Sequence, residues 1–147
     1  MLSTGGGNLD KCVKVLRAFS PAAQTSTLTG ATIDTLGFNE LRCDIQFGAI
    51  TGTAVTFVGK LQHGDESDAS DMADVTDADF ASIDQTDDDS DQFAAVRAFG
   101  LKRYVRYVCT IAGTSPSAVM AGMFTLGSPK ALPVSGYASA QFDLLPA

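Results

Sequence analysis

The chain contains no tryptophan, only one histidine (His63), and three cysteines in 147 residues. Each shortage removes a class of protein. Cys12, Cys43 and Cys109 are odd in number and widely spaced, so neither a C-x2-C zinc site nor a dense disulfide framework is available. They lie in apolar runs, where cysteine behaves as a small buried hydrophobe. No apolar run approaches the ~18–20 residues of a membrane-spanning helix, and no membrane association is expected. The opening MLSTGGGNLDK has neither the basic nor the apolar region of a secretory signal, so synthesis in a reducing cytoplasm is expected. With 10 Lys and Arg against 17 Asp and Glu, the coherent basic face of a nucleic-acid binder is missing. Catalytic signatures are missing too. There is no G-x-S-x-G elbow for a Ser-His-Asp arrangement, and the GGG at 5–7 lacks the Lys and Ser/Thr of a phosphate loop. No enzyme, cofactor or catalytic residue is expected.

What the chain does have is an uneven charge. From Asp65 to Asp91 there are eleven Asp and one Glu with no base, a charge of −12. The remaining ten bases and five acids sum to +5. Such a dipolar surface favours salt-sensitive association with another protein. As a metal site the run is poor. Asp87, Asp89 and Asp91 match the first three oxygen positions of a calcium loop, but Gln92 stands where Gly is needed and Ala98 where the bidentate Glu belongs. No metal is therefore expected, with those three Asp the nearest candidates. Nor does an acidic loop separate the pKa values of two carboxylates as glycoside hydrolysis requires. His63 reads as a strand-end residue bonded to nearby turn groups.

The dominant period is two. In LRCDIQFG, Leu41, Cys43, Ile45 and Phe47 share one face; in TAVTFVGKL, Val55, Phe57 and Leu61 do, with Gly59 marking a bulge or close backbone approach. KRYVRYVCTI places Val105, Tyr107, Cys109 and Ile111 together, and SAVMAGMFTLG places Met120, Phe124 and Leu126 together. KCVKVLRAF and TLTGATIDTL read as further strands, QFAAVRAF as strand or short helix, and ADVTDADFASI leaves room for a short helix within it, which Thr76 or Asp77 could cap. Arg103 and Tyr104 should face opposite ways, with Arg106 pairing across strands to an acid such as Asp44. Turn signals separate these runs. About six to eight short strands with no long helical period predict an all-β antiparallel sandwich of jelly-roll type.

The domain organisation follows: a flexible Gly-rich arm over 1–10, a sandwich over 11–127 carrying an acidic loop at 65–91, and an extended tail over 128–147. The tail holds three prolines and the apolar anchors Leu132, Tyr137, Phe142, Leu144 and Leu145, which with Pro133 are the expected interaction residues.

The order of segments is a hydrophobic strand, then GAITGTAVTFVGKLQHGDESDASDMADVTDADF, then LKRYVRYVCTIAGTSPSAVMAGMFTLGSPKALP. Over roughly residues 12–133 this resembles small head-morphogenesis structural proteins of tailed bacteriophages and gene-transfer agents. The resemblance rests on strand and turn patterns, and DQTDDDSD is longer and more acidic than the pattern. It implies a capsid decoration or cement protein, or the base of a head spike or fibre, binding the phage head as a homo-oligomer, trimer or dimer. The implied partners are the major capsid protein, further copies of the chain, and other head or spike proteins. The implied location is the virion surface after synthesis in the bacterial host. Two other readings remain: a jelly roll whose loops bind host carbohydrate, and a tail or baseplate part.

Overall fold

The computed structural model describes residues 12–97 and 100–131. The described chain forms eight strands: β1 (Lys14–Gln24), β2 (Leu28–Thr29), β3 (Ile33–Asp34), β4 (Phe38–Gly64), β5 (Ala73–Asp79), β6 (Ile83–Asp84), β7 (Asp91–Arg97) and β8 (Tyr104–Pro129). Two of them are far longer than the ~5–6 residues usual for a strand: β4 has 27 residues and β8 has 26.

That excess length decides the architecture. β4 and β8 pair antiparallel from Phe38↔Pro129 to Gly64↔Tyr104, with register shifts only between Phe47 and Thr56. At those shifts both strands bend. Gly52 and Gly113 sit there with φ of +121° and +116°, a region that L-residues with a Cβ enter only under strain. Beyond the bend the ribbon continues as a second layer. In the first sheet β1 lies beside the trailing half of β8, then comes the leading half of β4, then β7. In the second, β2 and β3 flank the leading half of β8, followed by the trailing half of β4, then β5 and β6. With β2 and β3 taken as one segment, β5 and β6 as another, and β4 and β8 each supplying two, the eight segments follow the strand order of a jelly-roll sandwich. The fold is therefore all-β, antiparallel and two-layered.

The core lies between the layers and consists of the alternating residues anticipated from sequence. Leu41, Cys43, Ile45, Phe47, Val55, Phe57 and Leu61 of β4 are buried, as are Val105, Tyr107, Cys109, Met120, Phe124 and Leu126 of β8. Phe47 meets Phe57 edge to face at 5.8 Å, two residues of one strand brought together by its bend. Tyr107 stacks on Phe19 at 5.7 Å and takes the edge of Phe80 at 5.4 Å. Burial pushes the thiols of Cys43 and Cys109 up in pKa, which keeps them protonated and unreactive.

Two local expectations are corrected and one open alternative is decided. ADVTDADFASI is not helical but supplies β5 and β6. Lys60 and Gln62, two apart on β4, face Asp79 and Asp74, five apart on β5. This bulge, with Asp77 at φ +59°, resets the alternation, so the buried Val75 and Ala78 fall three apart and mimic a helical period. For QFAAVRAF, where strand and short helix were both open, the described part 92–97 is strand, in β7. Residues 65–91 are not a single loop: only 65–72 and 85–90 are turns, and the rest belongs to β5, β6, their short connection and the start of β7. The arm over 1–10 and the tail residues Leu132, Pro133, Tyr137, Phe142, Leu144 and Leu145 lie outside the described residues.

Candidate interaction surface

The outer faces of the two sheets differ in kind. On the second sheet, polar side chains from neighbouring strands bond to one another. Arg106 Nε donates to Gln62 Oε1 at 2.9 Å, and Gln62 Nε2 donates to Asp74 Oδ1 at 2.7 Å. Lys60 Nζ reaches Asp74 Oδ2 at 2.7 Å. These partners hold the Asp74 carboxyl below the usual carboxylate range, with Lys60 the largest cause. Arg106 thus sits across from Gln62; the Asp44 expected beside it lies in the other sheet and pairs with Arg42 at 2.7 Å. Arg103 precedes β8, where strand alternation does not apply, and its guanidinium lies 5.1 Å from the Tyr104 ring instead of opposite it. It also forks onto Asp34 at 2.9 and 2.8 Å.

On the first sheet the outward positions are Val15 and Arg17 of β1, Val119, Ala121, Met123 and Thr125 of β8, Arg42, Asp44 and Gln46 of β4, and Phe93 and Ala95 of β7. Register sets them in rows across the sheet, Arg17–Met123–Asp44–Phe93 and Val15–Thr125–Arg42–Ala95. Phe93 is 63% exposed, Met123 52%, Val119 51% and Val15 41%. Four of the six large apolar residues that the described structure exposes are therefore on one sheet face. The Arg42 guanidinium lies 4.3 Å over the Phe93 ring, held there by Asp44. A shallow depression of about 500 Å³ runs between Arg17, Pro21, Asp44, Gln46 and Met123. Another of about 480 Å³ lies at the opposite end, beside Arg42, Ala95 and Thr125. A surface of apolar side chains interleaved with charges, without deep concavity, is suited to flat contact with another macromolecule.

The acidic run has a structural use. The turn after β4 is closed by Asp71, whose carboxylate accepts the Asp65 and Glu66 amides at 2.7 and 3.1 Å. Lys102 Nζ contacts Asp65 at 3.1 Å and Asp71 at 3.4 Å. Those amides, with Lys102, hold the Asp71 carboxyl below its ordinary range. The DQTDDDSD segment braces the bend in β4, where ladder hydrogen bonds are interrupted. Asp88 Oδ1 accepts the Ile50 amide at 2.7 Å, and Gln85 Oε1 accepts that of Val55 at 3.3 Å.

The three calcium candidates do not converge. Asp87 accepts the Asp84 amide at 2.9 Å, Asp89 stands in a left-handed turn at φ +56°, and Asp91 opens β7 opposite Gln46. Among the described residues no group of three or more His, Cys, Asp or Glu is placed to hold a metal. His63 Nδ1 accepts the Lys102 amide at 3.2 Å, the strand-end role anticipated. Sequence reasoning missed Phe93, Met123 and Val119. The available signal was that SAVMAGMFTLG is apolar on both faces, whereas a half-solvated strand alternates.

No protein-family model matches this chain, and no curated protein matches it. Among solved structures it is similar to a chain in "Structure of infectious bursal disease virus Gx strain", with TM-score 0.46 and 13% identity over 82% of this chain and 34% of that one. The chain thus spans about a third of that neighbour's length.

Proposed function

We propose that this protein is a virion structural component, a decoration or cement protein or spike base that binds the head of a tailed phage through the outer face of its first sheet. The observation that carries the reading is the contrast between the two outer faces. One is closed by its own hydrogen bonds, and the other leaves Phe93, Met123, Val119 and Val15 exposed beside mixed charges. A sandwich whose two longest strands run through both layers is a rigid part suited to repeated, symmetry-related sites. The sequence resemblance supplies the head as the partner, the major capsid protein as its contact, and self-association as the source of avidity. Residues Leu132, Pro133, Tyr137, Phe142, Leu144 and Leu145 add an apolar tail that extends this contact.

The test is co-sedimentation with head particles assembled without this chain. Met123→Glu and Val119→Glu lie on the interior strand of the face and leave the core untouched. Each is expected to weaken binding at least tenfold, and removal of residues 132–147 to weaken it further. Binding by the double variant equal to that of the natural chain overturns the assignment of this face. Binding to tail or baseplate particles instead of heads moves the protein to that assembly.

A further inference from the structure

A jelly roll has four outer strand edges, and each exposes backbone groups that another chain can pair with. Three are guarded here. Along β1 stand Lys14, Arg17 and Pro21, with two register shifts, and the Ala18 carbonyl is already taken by the Ala31 amide at 2.7 Å. The edge formed by β2 and β3 comprises strands of two residues each. β5 is bulged and carries Asp74, Asp77 and Asp79, so a second copy laid along it would set acid against acid.

The fourth edge, β7, has none of these protections. Its sequence is DQFAAVR, with a charge at each end and five uncharged residues between, no proline, no glycine and no bulge in its pairing with β4. Among the described residues β7 pairs with β4 alone. Asp91, Phe93, Ala95 and Arg97 point outward, and Gln92, Ala94 and Val96 point towards the core.

We infer that β7 is the homodimer interface of this protein, pairing antiparallel with β7 of a second copy about a two-fold axis at Ala94. In that register Asp91 faces Arg97 of the second copy, and Arg97 faces its Asp91. Phe93 packs beside Ala95 of the second copy, twice over. The pairing joins residues whose numbers differ by an even count. Residues with outward-pointing backbone groups therefore meet one another, and side chains of one face stay on one face. An isologous contact needs this self-complementarity, and a strand with an acid at one end and a base at the other provides it. The product is a continuous eight-stranded sheet, four strands from each copy, whose outer face doubles the area bearing Phe93 and Met123. The inference goes beyond the head-binding reading and can fail without it, because the test needs no particle.

The experiment is sedimentation equilibrium of the full chain at micromolar concentration. The natural chain is expected to be a dimer. Asp91→Arg and Arg97→Asp each place like charges opposite one another at both ends, and each is expected to raise the dimer Kd at least tenfold. The double variant Asp91→Arg/Arg97→Asp restores opposite charges and is expected to restore the dimer. Circular dichroism melts of the singles establish that loss of dimer is not loss of fold. A monomeric natural chain, a trimer, singles that dimerise normally, or folded singles without rescue in the double overturns the proposal. Slow β7 amide exchange in a monomer, lost on truncation after residue 131, would assign the edge to the chain's own C-terminal segment instead.

Discussion

At the scale of single residues the tightest constraint is the meeting of Gly59 and Tyr107. A Cβ built on Gly59 would collide with the Tyr107 hydroxyl and ring, so the glycine is the space in which that ring lies. The ring cannot yield readily, because Phe19 stacks on it and Phe80 packs edge-on against it. Gly59→Ala should therefore cost about 1–3 kcal/mol, as overpacking of a dense core does. Tyr107 also carries an uncompensated burden. Its Oη is buried without a hydrogen-bond partner, and burial pushes its pKa up, so the phenol stays neutral. Removing an unsatisfied buried hydroxyl removes its desolvation cost, so Tyr107→Phe should raise stability by about 1 kcal/mol. Urea melts of the two variants check both signs. A Tyr107→Phe variant less stable than the natural chain would mean the hydroxyl has a partner after all. The sequence marked Gly59 as a close approach, but it could not say what approaches, since Tyr107 lies on another strand 48 positions away.

At the scale of elements, the acid-rich turns give stability a predictable dependence on pH. Charge counting alone suggests that protonating a segment of −12 relieves repulsion and stabilises the fold. The geometry predicts the opposite. Asp68, Asp71, Asp74 and Asp84 are each held below the ordinary carboxylate range: by Ser70, by the Asp65 and Glu66 amides, by Lys60 and Gln62, and by Thr86 respectively. Asp34 is lowered by Arg103. Repulsion enters only as a lesser cause, from Asp71 on Asp68. A carboxyl whose folded pKa is depressed stabilises fully above its unfolded value, about 3.9 for Asp, and loses that contribution as pH falls through the folded value. The melting temperature should accordingly hold level as far as these groups are concerned from pH 8 to 5 and drop below pH 4. Asp71→Asn should make the drop shallower. A Tm that rises on acidification would show that repulsion dominates. These turns were legible as acidic but not as turns of two different kinds. Whether a carboxylate caps its own loop, as Asp71 does, or braces a distant bend, as Asp88 does at Ile50, depends on long-range pairing that composition does not carry. The bulge in β5 defeated the periodicity argument for a similar reason. An inserted residue has no signature in an alternation pattern other than the loss of the pattern.

At the scale of the whole molecule, the inner faces and the jelly-roll class were readable because buried alternation in β4 and β8 is set by the strands themselves. The order of strands was not readable, and it governs how the molecule must form. Neither long strand is a hairpin partner of the other. β8, the last of the described strands, is the interior strand joining β1 to β4 in the first sheet and β2 and β3 to β4 in the second. β8 meets β4 at separations from 40 residues at Gly64↔Tyr104 to 91 at Phe38↔Pro129, and it meets β1 at 112 between Lys14 and Leu126. Only β4 with β5 can form early as a local hairpin, around the 65–72 turn. Loops of about 40 residues or more must then be closed before β8 contributes its contacts, and chains dominated by such pairings fold in roughly milliseconds to seconds rather than microseconds. Stopped-flow refolding from urea should show a main phase in that range. Because β8 completes both sheets at once, Met120→Ala in its core-facing half should slow refolding, while Val75→Ala in the peripheral β5 should mainly speed unfolding. If Val75→Ala slows refolding and Met120→Ala leaves it unchanged, the nucleus lies in the β4–β5 hairpin and the central strand docks after the barrier.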